Sequence, residues 1–120
     1  MVEDTQKMIL VHSNRENLWR LESIAVMRMF SLNLLEFRFE KIVYFNEHHG
    51  DMFIRTPDSR LFRFNVFVDD NLRVEETEYT DENKYYCDMY NSLRDLANSI
   101  PEKFNENVLK EAEKVRPLCK

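Results

Sequence analysis

Glycine is almost absent from this chain of 120 residues, in which Gly50 is the only one. A dinucleotide-binding fingerprint needs three glycines and a P-loop needs two, because the backbone must pass close to phosphate groups. The nucleophile elbow of α/β-hydrolases also needs two glycines. A single glycine therefore excludes all three kinds of site.

Cysteine is nearly as scarce, since the chain contains only Cys87 and Cys119, which stand far apart. Two cysteines cannot supply a four-cysteine zinc site or a framework of several disulfides. We expect both to be reduced thiols of a cytosolic or nuclear protein. Cys87 falls near the apolar face of a predicted helix, where a small buried residue is expected rather than a reactive thiol.

Excess positive charge and long apolar runs are also lacking. The chain has 17 Lys and Arg against 22 Asp and Glu, which gives a formal net charge of −5. Sequence-independent binding of nucleic acid depends on clustered Lys and Arg, so no nucleic-acid partner is expected. No apolar run approaches the roughly 20 residues of a membrane span, and the acidic start is not a secretory signal. We expect a soluble intracellular domain without a membrane partner.

The first periodic segment, residues 15–32, has the apolar spacing of a helix. Further apolar residues widen this surface beyond one stripe, which is typical of a helix that is deeply buried or shared with a second chain. The stripe also fits successive a and d positions of a coiled coil. The stripe is too short to indicate a coiled coil by itself, so both kinds of burial stay open. If the helix pairs with a second copy, the interface is formed by Leu18, Leu21, Ala25 and Met29.

The middle of the chain has the period of strands. Residues 33–46 alternate between apolar and polar side chains and are interpreted as two strands with a turn at Glu40 and Lys41, or alternatively as one kinked strand. A turn around Gly50, which is free to adopt positive φ, leads to a third strand at 52–55. Residues 61–68 form the fourth strand, whose wholly apolar side is expected to face the core.

The C-terminal third returns to helical spacing. Residues 69–84 are acidic and are interpreted as a loop, although Leu72 and Val74 allow a short fifth strand. Helical periodicity covers 84–97. A second helix is predicted to start with a capping box formed by Ser99 and Glu102 and to continue to about residue 117.

This order of elements predicts an α+β fold: an N-terminal helix, a four-stranded antiparallel sheet and two C-terminal helices. The predicted organisation is an N-terminal extension at 1–14, one domain at 15–117 that includes the helix 15–32, and a tail at 118–120.

No residues form a recognisable catalytic or metal site. His48 and His49 are adjacent in a turn, where their side chains diverge, so an exposed polar turn is expected rather than a shared metal. Acidic pairs at 69–70 and 75–76 are expected to be solvated, since acid–base chemistry requires a buried carboxyl. The strand phenylalanines are expected to be core residues rather than a base-stacking platform. We expect no enzyme activity, no metal and no cofactor.

Arginines along the first helix are the remaining candidates for a binding site. Arg15, Arg20 and Arg28 lie on it, and the guanidinium fork matches the geometry of a phosphate group. An acidic or phosphorylated peptide is one interpretation, and solvated surface charges are the other.

Two short motifs give the chain a resemblance to a known family. The stretch 47–54, Glu-His-His-Gly-Asp-Met-Phe-Ile, resembles the Glu-His-x-Gly-Asp-x-x-Ile stretch in the C-terminal head of the coiled-coil mitotic arrest-deficient spindle-checkpoint protein. Residues 99–101, Ser-Ile-Pro, are similar to the Ser-Ile-Pro of that head. The resemblance covers about residues 15–115, with close identity confined to these two motifs.

The resemblance implies an RWD-like kinetochore module without catalysis, located at the nucleus, nuclear envelope and kinetochore. It also implies a parallel homodimer that binds a phosphorylated motif of a Bub-type checkpoint kinase beside an Arg-Leu-Lys motif on the coiled coil. This chain has Arg20-Leu21-Glu22 instead, so Arg15 and Arg20 are the candidates for the phosphopeptide site by charge and helix placement. The alternative is another RWD-type kinetochore or ubiquitin-pathway adaptor, monomeric or heterodimeric.

Overall fold

The computed structural model describes residues 8–9, 15–68 and 70–120 of the chain, with side chains described from residue 20 onward. Five strands and three helices follow in the order β1 (Met8–Ile9), α1 (Arg15–Ser31), β2 (Arg38–Asn46), β3 (His49–Arg55), β4 (Leu61–Val68), β5 (Leu72–Tyr79), α2 (Glu82–Ser99) and α3 (Glu106–Val115). Short 3₁₀ turns precede and follow α3 at Glu102–Phe104 and Arg116–Leu118.

The strands form one sheet in the order β1-β2-β3-β4-β5. Strands β2 to β5 are an antiparallel meander, in which each strand pairs with the next one along the chain. The two-residue β1 lies parallel to β2 at its outer edge. The predicted α+β arrangement of an N-terminal helix, a four-stranded antiparallel sheet and C-terminal helices is confirmed, and β1 adds a short fifth strand.

Helices cover both faces of the sheet, because successive strand residues point to opposite sides. In β3, Phe53 packs with residues of α2 and α3, whereas Met52 and Ile54 pack with residues of α1. On β4 the apolar side predicted to face the core does so, since Phe62, Phe64 and Val66 are buried against α1. The sheet therefore separates two apolar cores instead of bounding one.

The turn predicted at Glu40 and Lys41 is wrong, and the one-strand alternative is correct. Phe39 pairs with Ile54 and Lys41 pairs with Phe53, so Glu40 is an extra residue in a β-bulge of a single strand. A bulge directs two successive side chains to the same face. The Glu40 carboxylate accepts a hydrogen bond from Tyr85 at 2.8 Å, and Lys41 pairs with Glu111 at 2.6 Å, so both side chains reach the C-terminal helices.

The acidic segment after β4 contains a full edge strand rather than a loop with at most a short strand. Its acidic side chains are tolerated because basic partners lie opposite. Glu76 pairs with Arg28 of α1 at 2.6 Å. Glu78 accepts two hydrogen bonds from Arg60, at 2.8 and 2.9 Å. Charged side chains on an edge strand also discourage pairing with further chains.

The predicted capping box at Ser99 is wrong. Helix α2 continues to Ser99, whose hydroxyl donates to the carbonyl of Leu96 at 2.8 Å, so the residue ends a helix. The α2 N-cap is Asp81, whose side chain accepts a hydrogen bond from the backbone N–H of Asn83 at 3.0 Å. Helix α3 begins only at Glu106, after the 3₁₀ turn.

Helix α1 ends with a Schellman motif. The N–H of Leu34 donates to the carbonyl of Met29, and the N–H of Asn33 donates to that of Phe30. The motif needs a left-handed residue, and Asn33 adopts it with φ of 65°. Asparagine is the commonest substitute for glycine at this position. The motif turns the chain back along the sheet toward β2.

The expectation of two reduced thiols is contradicted by a disulfide between Cys87 and Cys119. Cys87 lies on α2, and Cys119 directly follows the 3₁₀ turn after α3, so the bond holds the end of the chain against α2. Lys120 reinforces the contact, because its backbone N–H donates to the side chain of Asn83 at 2.7 Å. Sequence spacing did not indicate the pair, since only the hairpin of α2 and α3 brings the two residues together.

We predict that breaking this disulfide lowers the free energy of unfolding substantially. The bond closes a sequence separation of 32 residues. A loop of this length is worth about 3–4 kcal/mol in the chain-entropy model. Urea unfolding of the Cys87→Ala and Cys119→Ala variants measures the loss, and the double variant should lose no more than either single one. Two reactive thiols in the native, unreduced protein would contradict the prediction.

Candidate functional site

Arg20 and the motif turn lie next to each other. Strands β2 and β3 are joined by a two-residue loop, Glu47 and His48. Arg20 is exposed on α1, and its Nη2 donates to the carbonyl oxygen of Glu47 at 3.2 Å. The fold therefore brings together the turn that carries the longer family-like motif and one of the two arginines proposed to receive a phosphate.

Gly50 allows α1 to approach the hairpin because it is small, and not because its backbone can adopt positive φ. Gly50 lies within β3 and does not have positive φ, contrary to the expectation of a turn residue. A Cβ atom at this position would lie only 3.2 Å from Cδ1 of Leu21. Gly50 thus lets α1 pack closely on the hairpin, which is a packing role.

The face of α1 predicted to form a dimer interface lies against the chain's own sheet. Leu21, Ala25 and Met29 are fully buried within the single chain. The sheet of the same chain covers these three side chains, so the apolar stripe of α1 is explained without a second chain. The side chains of Leu18 and Arg15 lie outside the described residues. The homodimer itself stays a prediction, and these three side chains are not available for it in this conformation.

The opposite side of α1 exposes two large apolar side chains, Met27 and Phe30, which we call the outer face. Met27 is 71% exposed and Phe30 is 50% exposed. The ring of Phe30 meets that of Phe37 edge-on, with centroids 6.2 Å apart. Leu35, which follows the helix, is 68% exposed. Adjacent exposed apolar side chains of this size mark interaction surfaces more often than isolated ones do.

The most buried carboxylate of the described residues is that of Asp51 on β3, a residue that is 2% exposed. Arg63 of β4 binds it with both arms of its guanidinium, at 2.9 and 2.6 Å. The hydroxyl of Ser92, on α2, donates to the same carboxylate at 2.6 Å. Burial by itself lowers the pKa of Arg63, but the hydrogen bonds with Asp51 raise it above its ordinary value. The cluster joins two strands to a helix and holds Arg63 in its charged form.

A second carboxylate extends the cluster. Asp88 of α2 accepts a hydrogen bond from the hydroxyl of Tyr79 at 2.7 Å and lies 3.7 Å from Arg63. Burial raises the pKa of Tyr79, and the bond to Asp88 raises it further. Serine, aspartate and arginine are all engaged here with one another, and no histidine base contacts Ser92 among the described residues. The bonds of Asp51 thus connect β3, β4 and α2.

The two histidines have different environments. His48 is exposed and lies 3.3 Å from the carboxylate of Glu47, as expected of a polar turn. His49 is half-buried, contrary to that expectation. Its ring stacks between Phe45 and Phe67 at centroid distances of 4.5 and 4.2 Å. No group of three or more His, Cys, Asp or Glu in residues 8–9, 15–68 and 70–120 could hold a metal ion.

The expectation that the strand phenylalanines are core residues is confirmed for Phe39, Phe53, Phe62 and Phe64, which are at most 1% exposed. Three others are half-buried. Of the acidic pairs, Glu76 is part of the edge strand and pairs with Arg28.

Comparison with known proteins gives no family. No protein-family model matches the chain, and no curated protein or solved structure is detectably similar to it. In the described parts of the chain, the helices are too short or too polar to span a bilayer.

We predict that Asp51→Ala destabilises the fold by about 3 kcal/mol, because it leaves the Arg63 charge and the Ser92 hydroxyl without their partner. Asp95→Ala is the matched control, since Asp95 is exposed on the same helix as Ser92 and should change stability by less than about 0.5 kcal/mol. Urea unfolding compares the two variants with the unmodified chain. If Asp51→Ala and Asp95→Ala both change the free energy of unfolding only slightly, the cluster does not hold the sheet to α2.

Proposed function

We propose that this domain is a non-catalytic protein-binding module. The observation that carries the proposal is the outer face of α1, where Met27 is 71% exposed and Phe30 is 50% exposed. The titratable groups of the buried Asp51 cluster are meanwhile committed to one another. Catalysis needs a reactive group that a substrate can reach, whereas binding needs only an exposed surface of suitable chemistry.

The finer proposal is a kinetochore-docking head of the spindle checkpoint, which binds a phosphorylated motif of a Bub-type checkpoint kinase. It is supported by the two motifs and by the contact between Arg20 and the Glu47 carbonyl. Arg20 is exposed at this contact, and a guanidinium binds phosphate through paired N–H donors. Arg15 belongs to the same helix and remains the second candidate.

The proposal includes a homodimer through α1, with its interface moved to the outer face. Helices that pair need an apolar row facing the partner, and Met27 and Phe30 lie three residues apart on such a row. Arg28, which lies beside the row, is neutralised by Glu76 of its own chain. Charges near the row are therefore partly cancelled within each chain. Electrostatic repulsion between two copies at this face is weaker than the net charge of −5 of the whole chain suggests.

The proposed location is the nuclear envelope and kinetochore, as the resemblance implies, and no cofactor is proposed. The Cys87–Cys119 disulfide is more typical of oxidising compartments. It therefore weighs equally against the checkpoint location and against the alternative, another RWD-type kinetochore or ubiquitin-pathway adaptor, because both belong to reducing compartments. The checkpoint head and the alternative adaptor share the non-catalytic binding role and differ in the partner that they bind.

We predict that the dimer depends on the outer face. One chain has a mass of 14.6 kDa, so a dimer has 29.2 kDa (2 × 14.6). Light scattering over a dilution series should give the dimer mass for the unmodified chain and the monomer mass for the double variant Met27→Asp and Phe30→Asp. The dimer of this variant would bury four aspartates in its interface, two from each chain, at a desolvation cost that no partner offsets.

Leu118→Asp is the control for the dimer, because Leu118 is 46% exposed at the far end of the chain. It should leave the dimer mass unchanged. A monomeric unmodified chain at every concentration would contradict the pairing, and a dimer that survives the double variant would move the interface elsewhere.

We predict that Arg20→Glu weakens binding of a phosphorylated peptide from the kinase by about tenfold or more, because charge-assisted hydrogen bonds are replaced by repulsion. Fluorescence anisotropy compares the phosphorylated peptide with its unphosphorylated twin. Arg94→Glu, at an exposed position of α2, makes the same change of charge and should leave the affinity unaltered. Equal affinity of the Arg20→Glu variant would remove this residue from the site.

A further inference from the structure

One buried hydroxyl lacks a hydrogen-bond partner, and it belongs to Tyr44 of β2. Among the buried side-chain nitrogen and oxygen atoms of the described residues, it is the only one without a partner. The hydroxyls of Tyr79 and Tyr85, by contrast, donate to carboxylates at 2.7 and 2.8 Å. An unpaired buried hydroxyl lowers stability, because it gives up its bonds to water and gains none. A phenylalanine would fill the same space without this loss, so packing does not explain the hydroxyl.

Tyr44 lies beside the contact between α1 and the hairpin loop. It pairs with Gly50 in the β2–β3 ladder, and its Cδ1 is 3.9 Å from the position that a Cβ atom of Gly50 would take. The same position is 3.2 Å from Cδ1 of Leu21, which directly follows Arg20. Arg20 in turn donates to the carbonyl oxygen of Glu47 in the loop. The ring of Tyr44 therefore lies in the corner where α1 meets the loop.

The charges of the helix and the loop act on this hydroxyl. Burial raises the pKa of Tyr44 above its ordinary value, the carboxylate of Glu47 raises it further, and the guanidinium of Arg20 lowers it. The hydroxyl is therefore protonated at neutral pH and can donate a hydrogen bond. Of these two charged groups one is an anion and one is a cation, so net charge does not select a ligand here. The selection depends on hydrogen-bond donors that the chain leaves unused.

Arg20 supplies further unused donors at the same corner. Its one hydrogen bond with the described residues runs from Nη2 to the carbonyl oxygen of Glu47 at 3.2 Å, at the long end of the usual range. A guanidinium has five N–H groups, so most of the donors of Arg20 are unused within the described residues. Arg20 is also exposed, so its side chain can leave this bond for another acceptor.

We propose that Tyr44 is a binding residue of the site at Arg20, and that its hydroxyl donates a hydrogen bond to an oxygen of the bound phosphate. This inference rests on the proposed phosphopeptide function and adds a second side chain to its site. Tyr44 is fully buried, so the ligand reaches the hydroxyl when Arg20 leaves the Glu47 carbonyl and turns to the phosphate. A phosphate has three strong acceptor oxygens and can accept from the guanidinium and the hydroxyl together. The bond that Tyr44 lacks in the free chain is then formed in the complex.

Loss of the hydroxyl should affect the free chain and the complex in opposite directions. Tyr44→Phe should raise the urea midpoint of the free chain, because it removes an unpaired buried donor and keeps the ring. Tyr85→Phe is the matched control, since its hydroxyl donates to Glu40 at 2.8 Å and its loss should lower the midpoint. An unchanged or lowered midpoint for Tyr44→Phe would show that the hydroxyl is already bonded in the free chain, which overturns the inference.

Fluorescence anisotropy measures binding of the phosphorylated peptide from the kinase and of its unphosphorylated twin. Tyr44→Phe should raise the dissociation constant of the phosphorylated peptide about tenfold, because a hydrogen bond to a charged acceptor is lost. Tyr90→Phe makes the same change on the α2 side of the sheet and should leave this affinity unaltered. Equal affinity of Tyr44→Phe and the unmodified chain overturns the inference alone. Failure of the unmodified chain to bind the phosphorylated peptide overturns the inference together with the proposed function.

The ring carbon that bears the hydroxyl reports directly on its bonding. In the full chain labelled with ¹³Cζ-tyrosine, the signal of Tyr44 is the one that Tyr44→Phe removes. We expect this signal to shift and saturate with the phosphorylated peptide, and to stay in place with the unphosphorylated twin. A signal that does not move at saturation would overturn the inference, even if Tyr44→Phe weakens binding through altered packing. Saturation of the same shift by inorganic phosphate at the affinity of the peptide would also overturn it, since the site would then take free phosphate.

Discussion

The buried carboxylate of Asp51 is the constraint on which the arrangement of the layers depends. A buried charge is costly unless its hydrogen-bonding capacity is filled, and here the partners come from three different elements. Asp51 is on β3, Arg63 is on β4 and Ser92 is on α2. These bonds fix where α2 crosses the sheet, and the apolar contacts of α2 and α3 then close the core on this face. On the opposite face, α1 packs Leu21, Ala25 and Met29 against the sheet, and Glu22 is the buried charged residue of this helix.

The division of α1 into two faces links the fold to the proposed function. The inner face of α1, which carries Leu21, Ala25 and Met29, is buried against the sheet. The lack of a side chain at Gly50 allows this close packing. The outer face and the loop end of the hairpin, where Arg20 lies, are among the surfaces left for a partner. A helix that is apolar on more than one side is ambiguous by sequence, because intrachain and interchain burial require the same residues. The structure assigns Leu21 and Met29 to the first kind of burial, and Met27 and Phe30 are the residues left for the second.

The periodicity of apolar residues predicts most helices and strands correctly but places their ends poorly. Helix α1 and strand β4 follow from spacing alone, because their apolar residues recur with one clear period. The bulge at Glu40 breaks the period of β2 in the same way as a turn does, so the two are indistinguishable without the partner strand. The acidic sequence of β5 favours a loop, because the partners that balance its charges, Arg28 and Arg60, are distant in sequence. The disulfide and the Asp51 cluster were missed for the same reason, since both depend on contacts between distant segments.

Hydrogen exchange in α1 at two protein concentrations tests most directly whether this helix belongs to the core of its own chain. The account predicts that the amides of residues 21–29 exchange slowly, and equally slowly above and below the concentration at which chains associate. The outer face can then gain or lose a partner without opening the helix. Exchange of these amides at the rate of an unfolded peptide in the dilute sample, with protection appearing only on association, would contradict the account. The inner face of α1 would then be completed by a second chain and not by the sheet.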